Sequence, residues 1–413
     1  MRRIVVAVCA LAFAPSASAT TFVVSGHGWG HGVGMSQWGA RGLAEHGASW
    51  RAIIAHYYRG TGIGRIAPRR VRVLIKEDAA RVAISAKSPF RVVDARGRSR
   101  LQRRRIVFGR GRFHGLAPPL RIVQGTTPLI VDGSGYRGRI VITRGVSVIN
   151  DVPLERYLRG VVPWEMPSHW HAEALRAQAV AARTYAYSRL GGGWFDVYAD
   201  TRDQMYGGIR AEHPSTNAAV GGTAGTIVTW QGRPARTYYF STSGGRTVSA
   251  RDGFGTPVAY LPSVIDPYDS GPKHDWSYRF TSEQLARRLH VAPPKALRMQ
   301  LNASLRVTSV LLSGGGPIRR VDGRTFQRAL DLPSTWFRVS GSVRRPKPSR
   351  AGRWVAILES SAAPFAGAVR SDRYPGLRPG LWVRLRGPFA SRRAASVAAG
   401  GRGYVRRLTA SPR

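Results

Sequence analysis

Glu165 is the residue whose surroundings most suggest acid–base chemistry. It lies in the run Trp164-Glu165-Met166, and Trp170 follows shortly after it. A carboxylic acid among apolar side chains is desolvated, so its pKa rises and it can donate a proton near neutral pH. The residue types therefore fit a general acid. An acid just before a helix is also stabilised by the helix macrodipole, which requires no chemistry, and the local pattern leaves both interpretations open.

Two predicted helices and one predicted strand position Glu165. The strand covers Val146 to Ile149 and is expected to end at the turn-forming pair Asn150-Asp151. A short helix before the acid is indicated by apolar residues at helical spacing: Leu154, Tyr157, Leu158 and Val161. After Pro167-Ser168, an alanine-rich helix from about His169 carries a stripe of small and apolar residues: Leu175, Ala179, Ala182 and Ala186. Small residues permit close packing, so we expect a core helix.

A glycine-rich strip near the N-terminus presents imidazole and indole groups. From Gly26 it reads Gly-His-Gly-Trp-Gly-His-Gly-Val-Gly, so His27, Trp29 and His31 occupy alternate positions of a sterically unrestricted backbone. These histidines could bind a metal, contact a substrate or fill the core. No Cys or carboxylate nearby completes a ligand set, so the sequence predicts neither a metal site nor a cofactor. Helical spacing follows in the residues Trp38, Leu43, Trp50, Ile53, Ile54 and Tyr57.

Two further segments carry candidate cleft residues. The first, from Asp200, contains Tyr206 followed by two glycines, and the second, from Thr237, ends in a hydroxyl-rich loop with Ser243, Gly244 and Gly245. A serine in this loop would suggest a nucleophile. No G-x-S-x-G elbow is present, so contacts to a substrate are the preferred interpretation.

The fold class predicted is α+β. Residues 65–150 contain short β-branched segments separated by Gly, Pro and Arg, which predict a β-rich scaffold. This scaffold is expected to pack against a helical catalytic core at 151–339, with the glycine-rich segment at 20–64 completing the cleft. The Pro-, Ser- and Arg-rich stretch 340–353 predicts a linker, and 354–413 a small α/β module.

The first residues have the pattern of a secretory signal peptide, residues 1–19. Two arginines precede an apolar run, and Ala17-Ser18-Ala19 is a cleavage pattern. That run is too short to span a membrane, and no later stretch is long enough for a transmembrane anchor. Cys9 is the only cysteine, so the mature chain is expected to lack disulfides and Cys-bound zinc. The predicted location is secreted or in the cell envelope.

The chain is strongly basic, with 64 Lys plus Arg against 22 Asp plus Glu and a formal net charge of +42. In a cytosolic protein this balance would suggest nucleic acid as the partner. Predicted export excludes nucleic acid and makes an anionic wall polymer the alternative. Most basic residues are dispersed arginines, so two explanations stay open: attraction to such a polymer, and the codon usage of a GC-rich genome.

Three motifs resemble the stage II sporulation protein D and amidase-enhancer (LytB-type) family, over roughly residues 25 to 340. They are YLRGVVPWEMPSHWHAEALRAQAVAARTYA from Tyr157, GHGWGHGVGMSQWGARGLAEHGASWRAIIAHYYRGT from Gly26, and DTRDQMYGG from Asp200 with TYYFSTSGGRT from Thr237. In the family the glycine-rich strip usually comes last, so the order here indicates a circular permutation. Some members carry a His and Cys zinc pair shortly after the Asp-Thr, where this chain reads Arg202-Asp203-Gln204-Met205.

The resemblance implies a peptidoglycan lytic transglycosylase that acts on glycan strands denuded of stem peptides. Glu165 would protonate the glycosidic oxygen and then, as a carboxylate, accept the proton of the C6 hydroxyl while a 1,6-anhydro ring closes. Burial would raise the pKa of this acid, a helix N-terminus and nearby arginines would lower it, and we expect burial to prevail. The family cleft implies substrate contacts from His27, His31, Met35, Gln37, Arg176, Arg183, Tyr206, Ser243, Gly244 and Gly245.

Other functions remain open at this stage. The first alternative is a non-catalytic enhancer that binds glycan and activates an N-acetylmuramoyl-L-alanine amidase, and the second is a cationic module that binds anionic polymers. Hydrolysis would require a second carboxylate, for which Asp200 and Asp203 are the nearest candidates. The tail sequence W-V-x-L-x-G-P-F-x-S-R-x-x-A from Trp382 resembles the SPOR family of small domains that bind denuded glycan, although any small α/β domain is an alternative.

Overall fold

The computed structural model describes residues 20–341, 354–374, 377–389, 392–399 and 403–408. The predicted signal peptide and residues 342–353 of the predicted linker lie outside the described residues. The chain divides into two units, Met1–Gly341 and Ser342–Arg413. Helices and strands are both abundant in the described part, which confirms the α+β fold class.

The first unit begins with the glycine-rich strip and two short helices. Its elements in order are β1 (Thr21–His27), β2 (Met35–Ser36), α1 (Gln37–Glu45), α2 (Trp50–Tyr57) and β3 (Gly62–Arg65). Ser36 and Ser49 are the N-caps of the two helices, because each hydroxyl accepts a backbone N–H of the first turn. The predicted helical spacing is confirmed by burial of Trp50, Ile53, Ile54 and Tyr57.

A β scaffold follows, as the sequence predicted. Its strands are β4 (Arg70–Lys76), β5 (Arg81–Ser85), β6 (Phe90–Val93), β7 (Ser99–Gln102), β8 (Ile106–Gly109), β9 (Leu120–Val123), β10 (Leu129–Val131), β11 (Ser134–Tyr136), β12 (Arg139–Ile142) and β13 (Val148–Pro153). One sheet has the order β11-β10-β5-β8, and a larger one has β4-β13-β12-β9-β6-β7. The inward residues of both sheets form one apolar core: Val82, Ile84, Phe90, Phe108, Ile122 and Ile140.

The expected turn at Asn150-Asp151 is wrong, because β13 continues through both residues. The amide of Asn150 donates to the backbone carbonyls of Arg137 and Arg139. The carboxylate of Asp151 forms ion pairs of 2.6 Å with Arg70 and Arg139. Buried polar groups that find partners across a sheet can stay in a strand, and a single chain segment does not reveal those partners.

The helical layer holds the Glu165 motif. Its elements are α3 (Leu154–Glu165), α4 (Ala172–Ser188), β14 (Val197–Tyr198), a 3₁₀ turn (Gly208–Ala211), α5 (Pro214–Gly222), β15 (Thr226–Trp230), β16 (Arg233–Pro234), β17 (Tyr239–Phe240) and α6 (Ala250–Phe254). Helix α4 lies between two apolar clusters, as its small residues predicted. Ala174, Leu175 and Val180 face the α1–α2 side, while Ala179 and Ala182 face α3 and the scaffold.

The last part of the first unit is tied to the N-terminal strand. Its elements are β18 (Asp275–Thr281), α7 (Ser282–Leu289), β19 (Ala296–Leu301), β20 (Val307–Ser313), β21 (Arg319–Asp322), α8 (Gly323–Ala329) and β22 (Phe337–Gly341). Strand β1 lies between β18 and β22 and is antiparallel to both. This pairing fixes the glycine-rich strip against residues far away in sequence.

The second unit is a small antiparallel sheet with one helix. Its elements are β23 (Trp354–Ser361), β24 (Val369–Arg370), a 3₁₀ turn (Ser371–Arg373), β25 (Trp382–Phe389), α9 (Arg392–Ala399) and β26 (Tyr404–Arg407). The strand order is β24-β25-β23-β26. Its small core contains Val355, Ile357, Val383 and Leu408.

Candidate active site

Glu165 is the last residue of α3 and is not the start of the following helix. Met166 has an extended backbone and Pro167 comes next, so the chain leaves the helix immediately after the acid. Glu165 therefore lies at the negative end of the α3 macrodipole, which opposes ionisation. The expectation that a helix N-terminus would stabilise this carboxylate is wrong, because α4 begins only at Ala172.

Three hydrogen-bond donors from two other motifs surround the carboxyl group. The backbone N–H of Met205 donates to Oε1 over 2.9 Å, and the amide of Gln37 donates to Oε2 over 3.3 Å. The hydroxyl of Tyr239 is a third partner. All three motifs recognised in the sequence thus meet at this one side chain.

Burial raises the pKa of Glu165 above its usual value, and the bonds from Met205, Gln37 and Tyr239 only partly offset that effect. The apolar wall differs from the expected one. Met166 is fully buried and Trp170 is nearly so, but Trp164 is 48% exposed and lies against Gly207. Two of the three apolar residues expected around the acid are therefore buried, and the third is half-exposed.

A buried polar chain holds Tyr239 in place. The hydroxyl of Tyr157 donates to Oε1 of Gln204 over 3.0 Å, and Nε2 of Gln204 donates to the Tyr239 hydroxyl over 2.9 Å. Because that hydroxyl already accepts a hydrogen bond, its own proton is directed elsewhere, to the carboxyl of Glu165. Sequence reasoning did not assign a role to Gln204 or Tyr239, although both stand inside recognised motifs.

Short strand pairs bring the glycine-rich strip to the acid. Strand β2 runs parallel to β17, with Met35 opposite Tyr239. Gln37, the first residue of α1, and Tyr239 on β17 therefore both approach Glu165. The strip also forms a bridge between Trp29 and Thr242. Gly28 has φ +75°, and a Cβ there would lie 2.7 Å from the carbonyl oxygen of Thr242, so only glycine fits this approach.

The two histidines of the strip differ in their partners. Nδ1 of His27 lies 2.6 Å from the carboxylate of Asp275. His31 is exposed as a residue, but its Nδ1 accepts the N–H of Val33 and its Nε2 lies 3.1 Å from the carbonyl of Tyr239. This arrangement selects the neutral tautomer with the proton on Nε2, and desolvation of the ring lowers the pKa of His31 to about 4.

The loop Ser243-Gly244-Gly245 packs against the glycine-rich strip at His27 and Gly28. Asp269 accepts hydrogen bonds from the Ser243 hydroxyl over 2.6 Å and from the N–H of Gly244 over 2.8 Å. The Ser243 hydroxyl in turn accepts the N–H of Gly245. These donors are used inside the protein, and the substrate contacts of this loop stay a prediction.

Four further residues predicted to contact a substrate are buried or have a partner within the protein. Met35 is fully buried, and the Tyr206 hydroxyl is buried on Asn150 at 2.7 Å. Arg183 is also fully buried, and its contact with a substrate stays a prediction. Arg176 is half-exposed and forms an ion pair with Glu173. Of the predicted set, Gln37 contacts Glu165 directly, and His31 is linked to it through Tyr239.

No group of three or more His, Cys, Asp or Glu side chains within the described ranges is arranged to hold a metal ion. The groups around Glu165 are mainly hydrogen-bond donors, whereas a metal requires lone pairs.

Comparisons with known proteins agree with the motifs. A model of the family described as SpoIID, stage II sporulation protein, matches residues 143–230, which include Glu165. The stage II sporulation protein D of Bacillus amyloliquefaciens is 30% identical over 257 residues, which cover 56% of this chain and 73% of that protein. The chain belongs to the stage II sporulation protein D family.

Other relatives of this family member match over shorter stretches. The amidase enhancer of Bacillus subtilis is 37% identical over 128 residues, which are 31% of this chain and 17% of that protein. The stage II sporulation protein D of Bacillus subtilis is 32% identical over 162 residues, or 47% of its length. Within the described residues, no helix combines the length and apolar character needed to cross a bilayer.

Proposed function

We propose that this family member is a lytic transglycosylase of peptidoglycan that acts in the cell envelope. The observation that supports it best is the Glu165 carboxyl group, which is buried, has a raised pKa and is reached by all three motifs. A raised pKa keeps a carboxyl group protonated closer to neutral pH, as a general acid requires.

The proposed reaction uses Glu165 twice. The acid first gives its proton to the oxygen that leaves C1 of N-acetylmuramic acid as the glycosidic bond breaks. The resulting carboxylate then takes the proton of the C6 hydroxyl of the same sugar while O6 bonds to C1, which closes the 1,6-anhydro ring. Gln37, Tyr239 and the Met205 N–H stabilise the carboxylate between the two steps, and the second step restores the acid.

The other acids near the site support ring closure over hydrolysis. Oδ1 of Asp203 accepts the hydroxyl of Tyr185 over 2.6 Å and Oδ2 accepts the N–H of Tyr198, while Asp200 is paired with Arg202. Hydrolysis with inversion or retention uses a second free carboxylate beside the bond. Neither aspartate offers one, whereas the 1,6-anhydro route needs Glu165 alone.

Product analysis tests the proposal. Purified protein is incubated with glycan strands stripped of stem peptides, and the products are examined by mass spectrometry. We expect 1,6-anhydro-N-acetylmuramic acid ends, which weigh one water less than hydrolysed ends. Reducing ends alone would contradict the transglycosylase and favour a hydrolase.

A second candidate function rests on the similarity to the amidase enhancer. In that case the Glu165 site binds a glycan strand, and the protein activates a partner amidase without cleaving the strand. An amidase assay with and without this protein tests it. Stimulation by both wild type and Glu165→Gln, with no anhydro ends from either, would favour the enhancer.

The second unit is proposed to be a SPOR-like module that holds the enzyme on denuded glycan. Its sheet carries arginines over aromatic rings, among them Arg370 over Trp382 and Arg406 over the exposed Tyr404. Tethering such a module raises the effective substrate concentration at the Glu165 site. Truncation after Gly341, where the first unit ends, should spare cleavage of short soluble oligosaccharides and weaken binding to insoluble sacculi in high salt.

A circular permutation is proposed for the order of the motifs. Strand β1 pairs with β22 so that Phe22 lies opposite Gly341, and the two chain ends of this pair lie on adjacent strands. Joining residue 341 to residue 20 and opening the chain after residue 64 should therefore give a folded first unit. A rearranged protein that fails to fold would contradict the proposal.

A further inference from the structure

A cavity of about 690 Å³ opens beside the glycine-rich strip in the first unit. Its lining combines aromatic and cationic side chains: Trp29, His31, Phe254, Arg306, Arg324 and Arg328. None of the three arginines was assigned a role by the motifs. The reaction proposed above does not use them either.

Arg306 is the unusual member of this lining, since it is 5% exposed and has no carboxylate partner among the described residues. Its Nη2 donates to the carbonyl oxygen of Arg246 over 2.8 Å, and its guanidinium lies 4.4 Å above the Trp336 ring. Its Nη1 is buried without a hydrogen-bond partner. Burial, together with the charge of Arg246, lowers the pKa of Arg306 to about 9. A buried cation with a free donor is energetically unfavourable unless a ligand supplies the anion.

Arg324 and Arg328 add two further positive charges at the cavity. They stand one helical turn apart on α8, so both side chains project from the same face. Both are exposed, and neither forms an ion pair within the described part of the chain. The charge of Arg324 contributes to the lowered pKa of His31, which places it close to the strip.

One carboxylate, Asp252, also lines the cavity, but it is already hydrogen-bonded within the protein. Its Oδ2 accepts the N–H of Ser304 over 3.0 Å and the Ser304 hydroxyl. The lining therefore carries three guanidinium groups against one internally bonded carboxylate. That balance favours an anionic ligand.

The aromatic lining indicates what carries the anion. Trp29 is 53% exposed and Phe254 39% exposed, and both present ring surface at the cavity. The C–H faces of pyranose rings pack on exposed aromatic rings of this kind. Aromatic surface next to convergent arginines fits a sugar with an acidic substituent better than it fits a free inorganic anion.

The cavity adjoins the Glu165 site through His31. This residue lines the cavity, and its Nε2 lies 3.1 Å from the carbonyl oxygen of Tyr239, whose hydroxyl bonds to Glu165. Thr201 also lines the cavity, and the same loop carries the Met205 N–H that bonds to Glu165. The cavity therefore adjoins the segments that hold Tyr239 and the Met205 N–H at Glu165.

We propose that Arg306, Arg324 and Arg328 form a subsite that binds the free carboxylate of the D-lactyl group of an N-acetylmuramic acid in the strand. This inference rests on the proposed glycan function and adds a determinant of substrate choice. In strands that still carry stem peptides, the same lactyl carbonyl is an amide without charge. An arginine fork pairs with two carboxylate oxygens and cannot do so with an amide. The subsite therefore distinguishes stripped strands from peptide-bearing ones.

The test compares two ligands on the full chain carrying Glu165→Gln, so that no cleavage occurs. One ligand is a denuded tetrasaccharide with free lactyl carboxylates, and the other is the same tetrasaccharide with each carboxylate converted to a methylamide. Isothermal titration should show tighter binding of the acid by roughly 10- to 100-fold, the range expected for charge-assisted hydrogen bonds. Added Arg306→Met should remove that preference, because methionine keeps the volume and removes the charge.

Two more variants protect the test against misfolding and unspecific charge effects. The double variant Arg324→Gln/Arg328→Gln alters exposed positions on α8 and should also weaken the preference. The control Arg298→Gln removes one exposed positive charge from β19, outside the cavity, and should leave the preference intact. Because the second unit is identical in all variants, differences between them report on the cavity.

The outcomes separate this inference from the proposed function. Equal affinity for acid and methylamide, or a preference that survives Arg306→Met and the double variant, would overturn the subsite even if wild type produces anhydro ends. A preference lost in the cavity variants supports the subsite even if wild type produces no anhydro ends. A preference lost equally in Arg298→Gln would show general charge attraction and would also overturn it.

Discussion

The two ends of helix α3 carry acids in opposite situations. Glu155, in the first turn, forms two hydrogen bonds of 2.8 and 2.7 Å with the buried guanidinium of Arg183 and accepts the N–H of Gly225. Glu165, at the last residue, has no cation partner among the residues that the structure describes, and burial raises its pKa. The macrodipole favours the ionised form at the first position and opposes it at the second.

This difference separates an acid that stabilises the fold from an acid that is suited to chemistry. The Glu155 ion is matched by charge, by the helix end and by a network in which Arg183 also donates to the carbonyl of Val220. Glu165 is held by hydrogen-bond donors and has no counter-ion within the described part of the chain, and burial raises its pKa, so its neutral form persists to higher pH than in an exposed glutamate. Exchange of each acid for its amide should therefore have different consequences.

The largest expected effect is on catalysis by Glu165→Gln. The amide keeps the size and removes the transferable proton, so cleavage of denuded glycan should fall by roughly 100-fold or more. The matched control, Glu155→Gln, should lower stability and leave the rate per folded molecule unchanged. Mass-spectrometric counting of anhydro ends measures both. Equal cleavage by Glu165→Gln and wild type would refute the assigned role.

The next effect is on stability through Arg183→Met. Methionine fills the site but leaves Glu155 and the carbonyl of Val220 without their donor, so the free energy of unfolding should fall by roughly 1–3 kcal/mol. Urea unfolding followed by tryptophan fluorescence measures this change. A large loss of activity in a variant that remains folded would show that Arg183 also contributes to substrate binding, as the family resemblance implied.

The sequence predicted the helices and strands that carry their own periodicity. Leu154, Tyr157 and Val161 are buried on α3, and the alanine stripe of α4 is buried between two clusters, because amphipathic spacing is a local property. The proposed role of Glu165 comes from the resemblance of its motif to the family. Its position at the C-terminus of α3 was not predicted, because the apolar spacing from Leu154 to Val161 does not show how far that helix continues.

What the sequence could not provide is the pairing between distant segments. Gln37 lies 128 positions from Glu165, and the link from Tyr157 through Gln204 to Tyr239 is made only by the tertiary fold. The same limit applies to the internal hydrogen bonds of Ser243 and Tyr206. The hydroxyl of Ser243 donates a hydrogen bond to Asp269, and the hydroxyl of Tyr206 donates one to Asn150. No local sequence pattern indicates either partner.

A smaller effect is expected on the pH dependence of cleavage in Tyr239→Phe. The hydroxyl stabilises the carboxylate form of Glu165, so its removal should raise the pKa of that acid further. Because the protonated acid starts the reaction, activity declines as pH rises through this pKa, and the decline should move to higher pH by roughly one unit. Tyr185→Phe, whose hydroxyl bonds to Asp203, is the control and should not shift the profile.

The comparison also predicts a pH-dependent difference in stability. The pKa of Glu165 in the folded protein lies above its unfolded value, so its favourable contribution is complete below the unfolded pKa and is lost as pH rises through the folded pKa. Glu165→Gln should therefore match wild type in urea unfolding at about pH 4 and exceed it at about pH 8. A variant less stable than wild type at the higher pH would show that the carboxylate stabilises the fold, as Glu155 does.

The smallest expected effect is that of metal removal. Treatment with EDTA tests whether a bound cation is the counter-ion of Glu165. A bound cation would do for Glu165 what Arg183 does for Glu155, and it would keep the acid ionised. The groups around the carboxyl are the Met205 N–H, the Gln37 amide and a tyrosine hydroxyl that already accepts from Gln204, so they offer protons more readily than lone pairs. We therefore expect EDTA to leave the rate of anhydro-end formation unchanged. Inhibition that zinc alone reverses would place a metal at this site and would remove the contrast between the two ends of α3.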